Sequence, residues 1–251
     1  ESNGRCTQKM ISEEQDPFSI INKIKEFVEN TSSLPIKRIS RIDEHMLKLI
    51  ENIEMRQQKS TIGLRTGLTR WDMHTGGLHA SDLIIIAAMT SNGKTSLALT
   101  IAYNATTQYS GVVAIFSLEM SSEQITARLT SMETGISSKK ILFQPLLRDD
   151  SERIANMEHL PGSAIYIDEC SNSSIDYILL IRDNTKRNEE SEISSNTRKL
   201  KNIAKELGIT VILLSQLSRD QSNPKPTLSR LRGSGQIEEA ADIVALLWRP
   251  E

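Results

Sequence analysis

The 251 residues suffice for one sizeable α/β domain with an appendage, and 38% apolar against only 4% aromatic residues predicts a mainly aliphatic core. Thirty basic and 32 acidic side chains leave a net charge of -2, which excludes nucleic-acid binding driven by a global basic excess and excludes an acidic disordered tail. Cys6 and Cys170 make neither a disulfide framework nor a zinc ribbon, no apolar run reaches the ~18–20 residues of a membrane span, and ESNGRCTQKM lacks a signal-peptide core, so a cytoplasmic protein with no membrane association is expected.

Residues 1–34 are polar, with Phe18, Ile20, Ile21, Ile24, Phe27 and Val28 spaced as on an amphipathic helix too short to bury a core alone. Pro35 marks a break. From 36 to 53, Ile39, Ile42, Met46, Leu49, Ile50 and Ile53 recur at steps of three and four, which predicts a second helix with a narrow apolar stripe. That stripe suits packing on the helix's own domain or docking on a neighbouring subunit. Gly63, Gly67, Gly76 and Gly77 then punctuate a loop-rich stretch. Strands are predicted at 83–88 (LIIIAA), 112–117, 164–168 (AIYID), 210–215 (TVILLS) and 243–247 (IVALL), with helices at 95–108, 122–134 and 191–207. The alternation implies an α/β fold with a mostly parallel sheet covered on both faces.

The run Ala88-Met-Thr-Ser-Asn-Gly-Lys-Thr95 follows a strand and opens a helix, as a phosphate-binding P-loop does, with Ala88 where the first Gly usually stands. Backbone N–H groups of Ser91, Asn92, Gly93, Lys94, Thr95 and Ser96 would face phosphate at the positive end of the helix. Lys94 supplies a mobile cation for the β- and γ-phosphates, and the Thr95 hydroxyl is the expected Mg²⁺ ligand. Hydrolysis also needs a group to orient or deprotonate water. Glu119, just after the strand at 112–117, would stand opposite Lys94, because ligands collect at the carboxyl ends of such strands. Arg128, nine residues on, could orient Glu119 or touch a phosphate. His74 and His79 have no third ligand nearby, and Trp71 and Tyr103 read as packing residues. The loop 182–192, with Lys186 and Arg187, reads as solvated or as a second nucleic-acid contact.

Six segments in order carry a resemblance: TGLTRWDMHTGGLHASDLIIIAA (66–88), NGKTS (92–96), FSLEM (116–120), IDY (175–177), LSQLSR (214–219) and LRGSGQIEEAADIV (231–244). The chain resembles the replicative DNA helicases of the hexameric DnaB type. The resemblance implies a RecA-like P-loop NTPase core over 61–251, a linker helix over 35–60 and the end of a helical N-terminal domain over 1–34. It implies ATP and Mg²⁺ as cofactors, a homo-hexamer on single-stranded DNA, and a helicase loader and primase as partners. By position it makes Glu119 the catalytic carboxylate, puts Arg128 near the nucleotide, and makes Gln216 the link between γ-phosphate and DNA loops. Arg232, Gly233 and Gly235 fall in the loop that grips the DNA backbone. Other RecA-like ATPases (RadA-like or KaiC-like) share the cradle but not FSLEM or LRGSG.

Two departures follow. Local chemistry favours Asp168, at the end of AIYID, as the Mg²⁺-linked carboxylate, whereas the resemblance favours Asp176. Only seven residues separate the two, too few for a crossover between parallel strands, so a segment of about 20–30 residues is expected to be absent before Asp176. The resemblance also implies a basic segment after the last strand that reaches a neighbouring subunit's nucleotide, and no candidate precedes Glu251. Both departures leave room for a module that binds nucleotide without turning over.

Overall fold

The computed structural model describes residues 63–117, 120–169, 189–218, 225–231 and 239–249, together with eight helical residues between Ile42 and Ile53. The expectations for residues 1–34, Glu119, Asp176, Lys186, Arg187, Arg232, Gly233 and Gly235 lie outside the described residues.

The all-aliphatic run LIIIAA has no polar face, so it is stable only where both sides are covered. It forms β1 (Leu83–Ala88), whose six residues are all buried. Its alternate side chains supply two cores. Leu83, Ile85 and Ala87 pack with Leu200, Ile203, Leu213 and Leu217. Ile84 and Ile86 pack with Leu78 and Ile101. β4 (Val211–Gln216) and β5 (Ile243–Leu247) flank β1 in parallel, giving the order β4-β1-β5. β2 (Val113–Phe116) pairs in parallel with β3 (Ile165–Asp168). Among the described residues, β2 and β3 form a sheet separate from the other three strands. Phe116 of β2 nevertheless packs on the core that holds Leu213 and Leu217.

Helices cover both faces. α2 (Lys94–Thr107) buries Ile101 under β1 and Leu99 against Ile125 and Leu129 of α3 (Ser122–Thr134). α3 starts on a capping box, with Ser121 accepting from the Gln124 N–H and the Gln124 side chain accepting from Ser121. α6 (Glu189–Leu207) supplies Leu200 and Ile203 to the opposite face.

Three short helices were not expected. α1 (Thr69–Thr75) lies in the glycine-punctuated stretch. It is held because Asp72 Oδ1 accepts from both the N–H (3.0 Å) and the hydroxyl (2.7 Å) of the buried Thr66. Gly63 lies so close to Leu78 that a Cβ there would meet the Leu78 backbone. α4 (Ser138–Phe143) and α5 (Arg148–Ala155) are joined by the ion pair of Lys140 with the buried Asp150.

Asp242 fastens the start of β5 to β1. Its Oδ2 accepts from the Leu83 N–H (2.7 Å) and pairs with Lys201 of α6. Burial pushes this carboxyl up, but its hydrogen bonds with Lys201 and Leu83 outweigh that and hold it below its usual value. A depressed folded value means the pair stabilises the fold above the unfolded value of about 3.9. That contribution is lost as pH falls through the folded value. The stability gap between the parent and Asp242→Asn should therefore be larger at pH 7 than at pH 3 in urea titrations. Equal gaps at both would contradict a charged Asp242 in the fold.

Candidate functional site

The parallel pairing sets the site. β1 and β4 run in register from Leu83↔Val211 to Ala88↔Gln216, so both strands end together at one edge. The turn from β1 into α2 passes over that edge. Ser91 (φ 68°) and Gly93 (φ 87°) are both left-handed, which bends the chain sharply. Within the turn the Asn92 N–H donates to the Met89 carbonyl (3.2 Å), and the Gly93 carbonyl starts the helix by accepting from Leu97 N–H (2.9 Å).

No side chain caps α2 among the described residues. The first N–H groups of a helix have no carbonyl within the helix to meet, and they add to its positive end. A Cβ built on Gly93 would meet nothing within 4 Å, so the turn is open on that side of Gly93. Glycine is required there for its backbone angle rather than for space. A lysine, the hydroxyls of Ser91, Thr95 and Ser96 and the N–H donors at a helix start are groups that can hold an anion, with one cation at its rim. Mg²⁺ is a hard ion that takes oxygen ligands and keeps several waters. The Thr95 hydroxyl beside a phosphate cradle fits that preference. Residues Ser91 to Ser96 all stand in this turn and the first helical turn after it, and the Asn92 N–H, expected to face phosphate, is bonded to the Met89 carbonyl instead.

Gln216 is brought to the same place. Its Nε2 donates to Thr90 Oγ1 at 2.6 Å, and the next residue's N–H, that of Leu217, donates to the Ala88 carbonyl at 3.0 Å. Nothing in the sequence marked Thr90 as its partner. Glu119 lies outside the described residues, but its flanks are tightly held. Ser117 Oγ donates to the Met120 carbonyl (2.7 Å) and accepts from the Met120 N–H (3.2 Å), while the Ser117 N–H donates to the Asp168 carbonyl (3.1 Å). Ser117 and Met120 are thus fixed to one another just beyond the end of β2. Arg128 is half-buried on α3, with no hydrogen bond or ion pair among the described residues.

Asp168 ends β3, opposite Phe116, on a strand paired with β2 rather than with β1 or β4. The neighbouring Glu169 has a role that sequence reasoning missed. Its Oε1 accepts from the Ser122 N–H and so caps the start of α3. His79 bonds the Thr75 carbonyl through Nε2 (2.7 Å), and Trp71 packs beside Ile84 and Ile86. Tyr103 packs against Leu99 and Ile125, with its hydroxyl on Glu133 (3.3 Å). Among the described residues, no helix is long and apolar enough to cross a membrane.

Comparison with known proteins agrees with this fold. The model of the DnaB-like helicase C-terminal domain matches residues 63–175 and 173–251. The replicative DNA helicase DnaB of Geobacillus stearothermophilus is 36% identical, over 91% of this chain and 56% of its own length. The chain spans about half the length of the curated relatives it matches. A solved ATPase domain superposes with a TM-score of 0.74 at 30% identity, covering 84% of each chain. The solved structure of a DnaB-like replicative helicase and its interactions with primase superposes with a TM-score of 0.71 at 29% identity, covering 92% of this chain and 64% of that one. The Geobacillus alignment runs over 258 residues, more than the chain's own 251, while engaging only 91% of them, so the relative has positions with no counterpart here. The family model likewise breaks into two pieces that meet at 173–175. The match covers most of the chain, and the chain belongs to the DnaB-like helicase C-terminal domain family.

Proposed function

We propose that this chain is the motor part of a replicative DNA helicase, binding ATP at the 88–96 turn and coupling its hydrolysis to movement on single-stranded DNA and to duplex unwinding. The observation that carries this is the joining of the open cradle to the end of β4 through Gln216 and Thr90 (2.6 Å). A cradle that only stored nucleotide would need no such link to a second strand.

In this reading the backbone N–H groups from Gly93 to Ser96 hold the phosphates, the Asn92 N–H being bonded to the Met89 carbonyl, and Lys94 neutralises charge at the β- and γ-oxygens. Thr95 and Asp176 would hold Mg²⁺, which would supply Lewis-acid neutralisation of phosphate charge. Glu119 orients water in line with the γ-phosphate and takes its proton. Arg128 positions Glu119 or a phosphate oxygen. Gln216 senses the γ-phosphate and passes its state to the loop of Arg232, Gly233 and Gly235, where glycine N–H groups and the guanidinium hold DNA phosphates. Six copies form a ring with the nucleotide between subunits. The exposed apolar stripe of Ile42, Met46, Leu49, Ile50 and Ile53 supports docking of that helix on a neighbour. Primase and a loader are the expected partners, primase by similarity to the solved helicase described for its interactions with it.

A second reading has an observation of its own. The break of the family model at 173–175 falls immediately before Asp176, which supports a shortened stretch leading into this carboxylate. A protein that binds nucleotide without turnover is the outcome if Asp176 is thereby misplaced. Steady-state ATPase of the full-length protein, with and without single-stranded DNA, separates the two. The motor reading expects turnover that rises on adding DNA. Turnover at background together with intact nucleotide binding would establish the second reading.

A further inference from the structure

Arg230 ends a short 3₁₀ turn (Leu228–Arg230) and is only 7% exposed. A guanidinium stays charged in proteins, so its burial is tolerable only if its donors are met. Among the described residues they are met mainly by the backbone on either side of a single loop. Nε and Nη2 donate to the Ser218 carbonyl (3.1 and 2.8 Å), and Nη1 donates to the Lys225 carbonyl (3.1 Å). One rigid planar fork thus holds both ends of the 218–225 loop at a fixed separation. In the other direction, the Arg230 carbonyl accepts from the Ser218 N–H (3.0 Å) and hydroxyl (3.1 Å). Leu217 and Leu231 form an antiparallel bridge beside these bonds, and both are buried in the β1 core.

The same guanidinium reaches the cradle, with Nη2 lying 3.7 Å from Met89 Sδ. Three consecutive residues of the phosphate turn are therefore each tied to the segment after β4. The Ala88 carbonyl is held by Leu217 N–H, Met89 by Arg230, and the Thr90 hydroxyl by Gln216. Of these three ties, the one through Arg230 also fixes the neck of the loop and ends one residue before Leu231 and two before Arg232. A shift of Met89 on filling the cradle would press on the fork, and the fork cannot move without carrying Ser218 and Lys225 with it.

We propose that Arg230 is a positioning residue that couples occupancy of the phosphate cradle to the 218–231 segment and through it to Arg232. The proposal rests on the reading of 88–96 as the ATP site and of 232–235 as the DNA contact. The test uses the full-length protein, Arg230→Met and Arg230→Lys, with two measurements. The first is hydrogen exchange at Ser218 and Arg230 with and without a non-hydrolysable ATP analogue and Mg²⁺. The second is ATPase with and without single-stranded DNA.

In the parent the analogue should slow exchange at both amides. Arg230→Met should bind the analogue and keep its DNA-free rate, yet lose that response. Its ratio of DNA-stimulated to DNA-free turnover should fall by about 5-fold or more. Arg230→Lys, which can meet one carbonyl at a time, should be intermediate, and it decides the matter alone if Arg230→Met does not fold. An unchanged ratio and response in a folded variant would overturn the proposal. So would an equal fall of both rates, which would mean a merely structural role, and so would a parent whose two amides ignore the analogue. If the exchange response depends on Arg230 while the parent shows no DNA stimulation, the coupling stands and the DNA-motor reading fails.

Discussion

Replacing Lys94 by alanine is expected to lower ATP turnover by about 10³-fold or more, with the fold intact. Lys94 is the first residue of α2, at the open turn, and in the proposed chemistry its ammonium is the mobile positive charge beside the transferred phosphoryl group. Charge on the transferring oxygens grows toward the transition state, so a cation there contributes more to turnover than to ground-state binding. A factor of 10³ corresponds to about 4 kcal/mol, the size of loss seen when one preorganised donor is removed from a developing anion. Alanine is the best helix former, so α2 should not suffer. Circular dichroism should match the parent, while equilibrium nucleotide binding weakens and turnover vanishes. Retained turnover in Lys94→Ala would remove the 88–96 turn from the chemistry altogether.

Changing Ile42, Leu49 and Ile53 together to serine is expected to convert rings to monomers whose cores remain folded. These residues are helical and 74%, 52% and 41% exposed, with Met46 and Ile50 on the same stripe at 54% and 49%. Spacings of four, three, one and three put all five on one face of the helix. Burying an aliphatic side chain is worth ~1.5–3 kcal/mol, so five of them offset much of the cost of fixing one subunit against another. A repeating head-to-tail contact of this kind closes a ring when its rotation closes. Light scattering with circular dichroism decides the outcome. Intact rings after the triple change would defeat the docking, and unfolded monomers would assign the stripe to the helix's own core.

The parts of the fold legible in the sequence are those with a strong local pattern. LIIIAA and IVALL read as buried strands because aliphatic runs of that length have few alternatives, and the bounds of β1 and β5 agree with the reading. α3 spans the residues expected of it, and its ends are fixed by the Ser121 capping box and the left-handed Gly135. α1, α4 and α5 are too short for periodicity to show. They depend on contacts made at a distance: Thr66 with Asp72, Lys140 with Asp150, and Arg153 with the Thr134 carbonyl.

The site divides in the same way. Gly93, Lys94 and Thr95 are a local pattern that stands in the turn between β1 and α2, where Gly93 is left-handed, and the strand pairing of β4 with β1 brings Gln216 to that turn. Ser117 and Arg230 were not legible, because their partners are mainly main-chain carbonyls and N–H groups that no side-chain pattern advertises. The expectation of a missing stretch before Asp176 came from a distance problem. Seven residues cannot carry a crossover, and the two-piece match to the family meets at that point.

The most direct test of the central claim is strand displacement on a forked DNA by the full-length protein with ATP and Mg²⁺, run beside Lys94→Ala. The account predicts displacement by the parent that requires ATP and is absent from the variant. ATP hydrolysis by the parent without displacement of the fork, or equal displacement by Lys94→Ala, would contradict it.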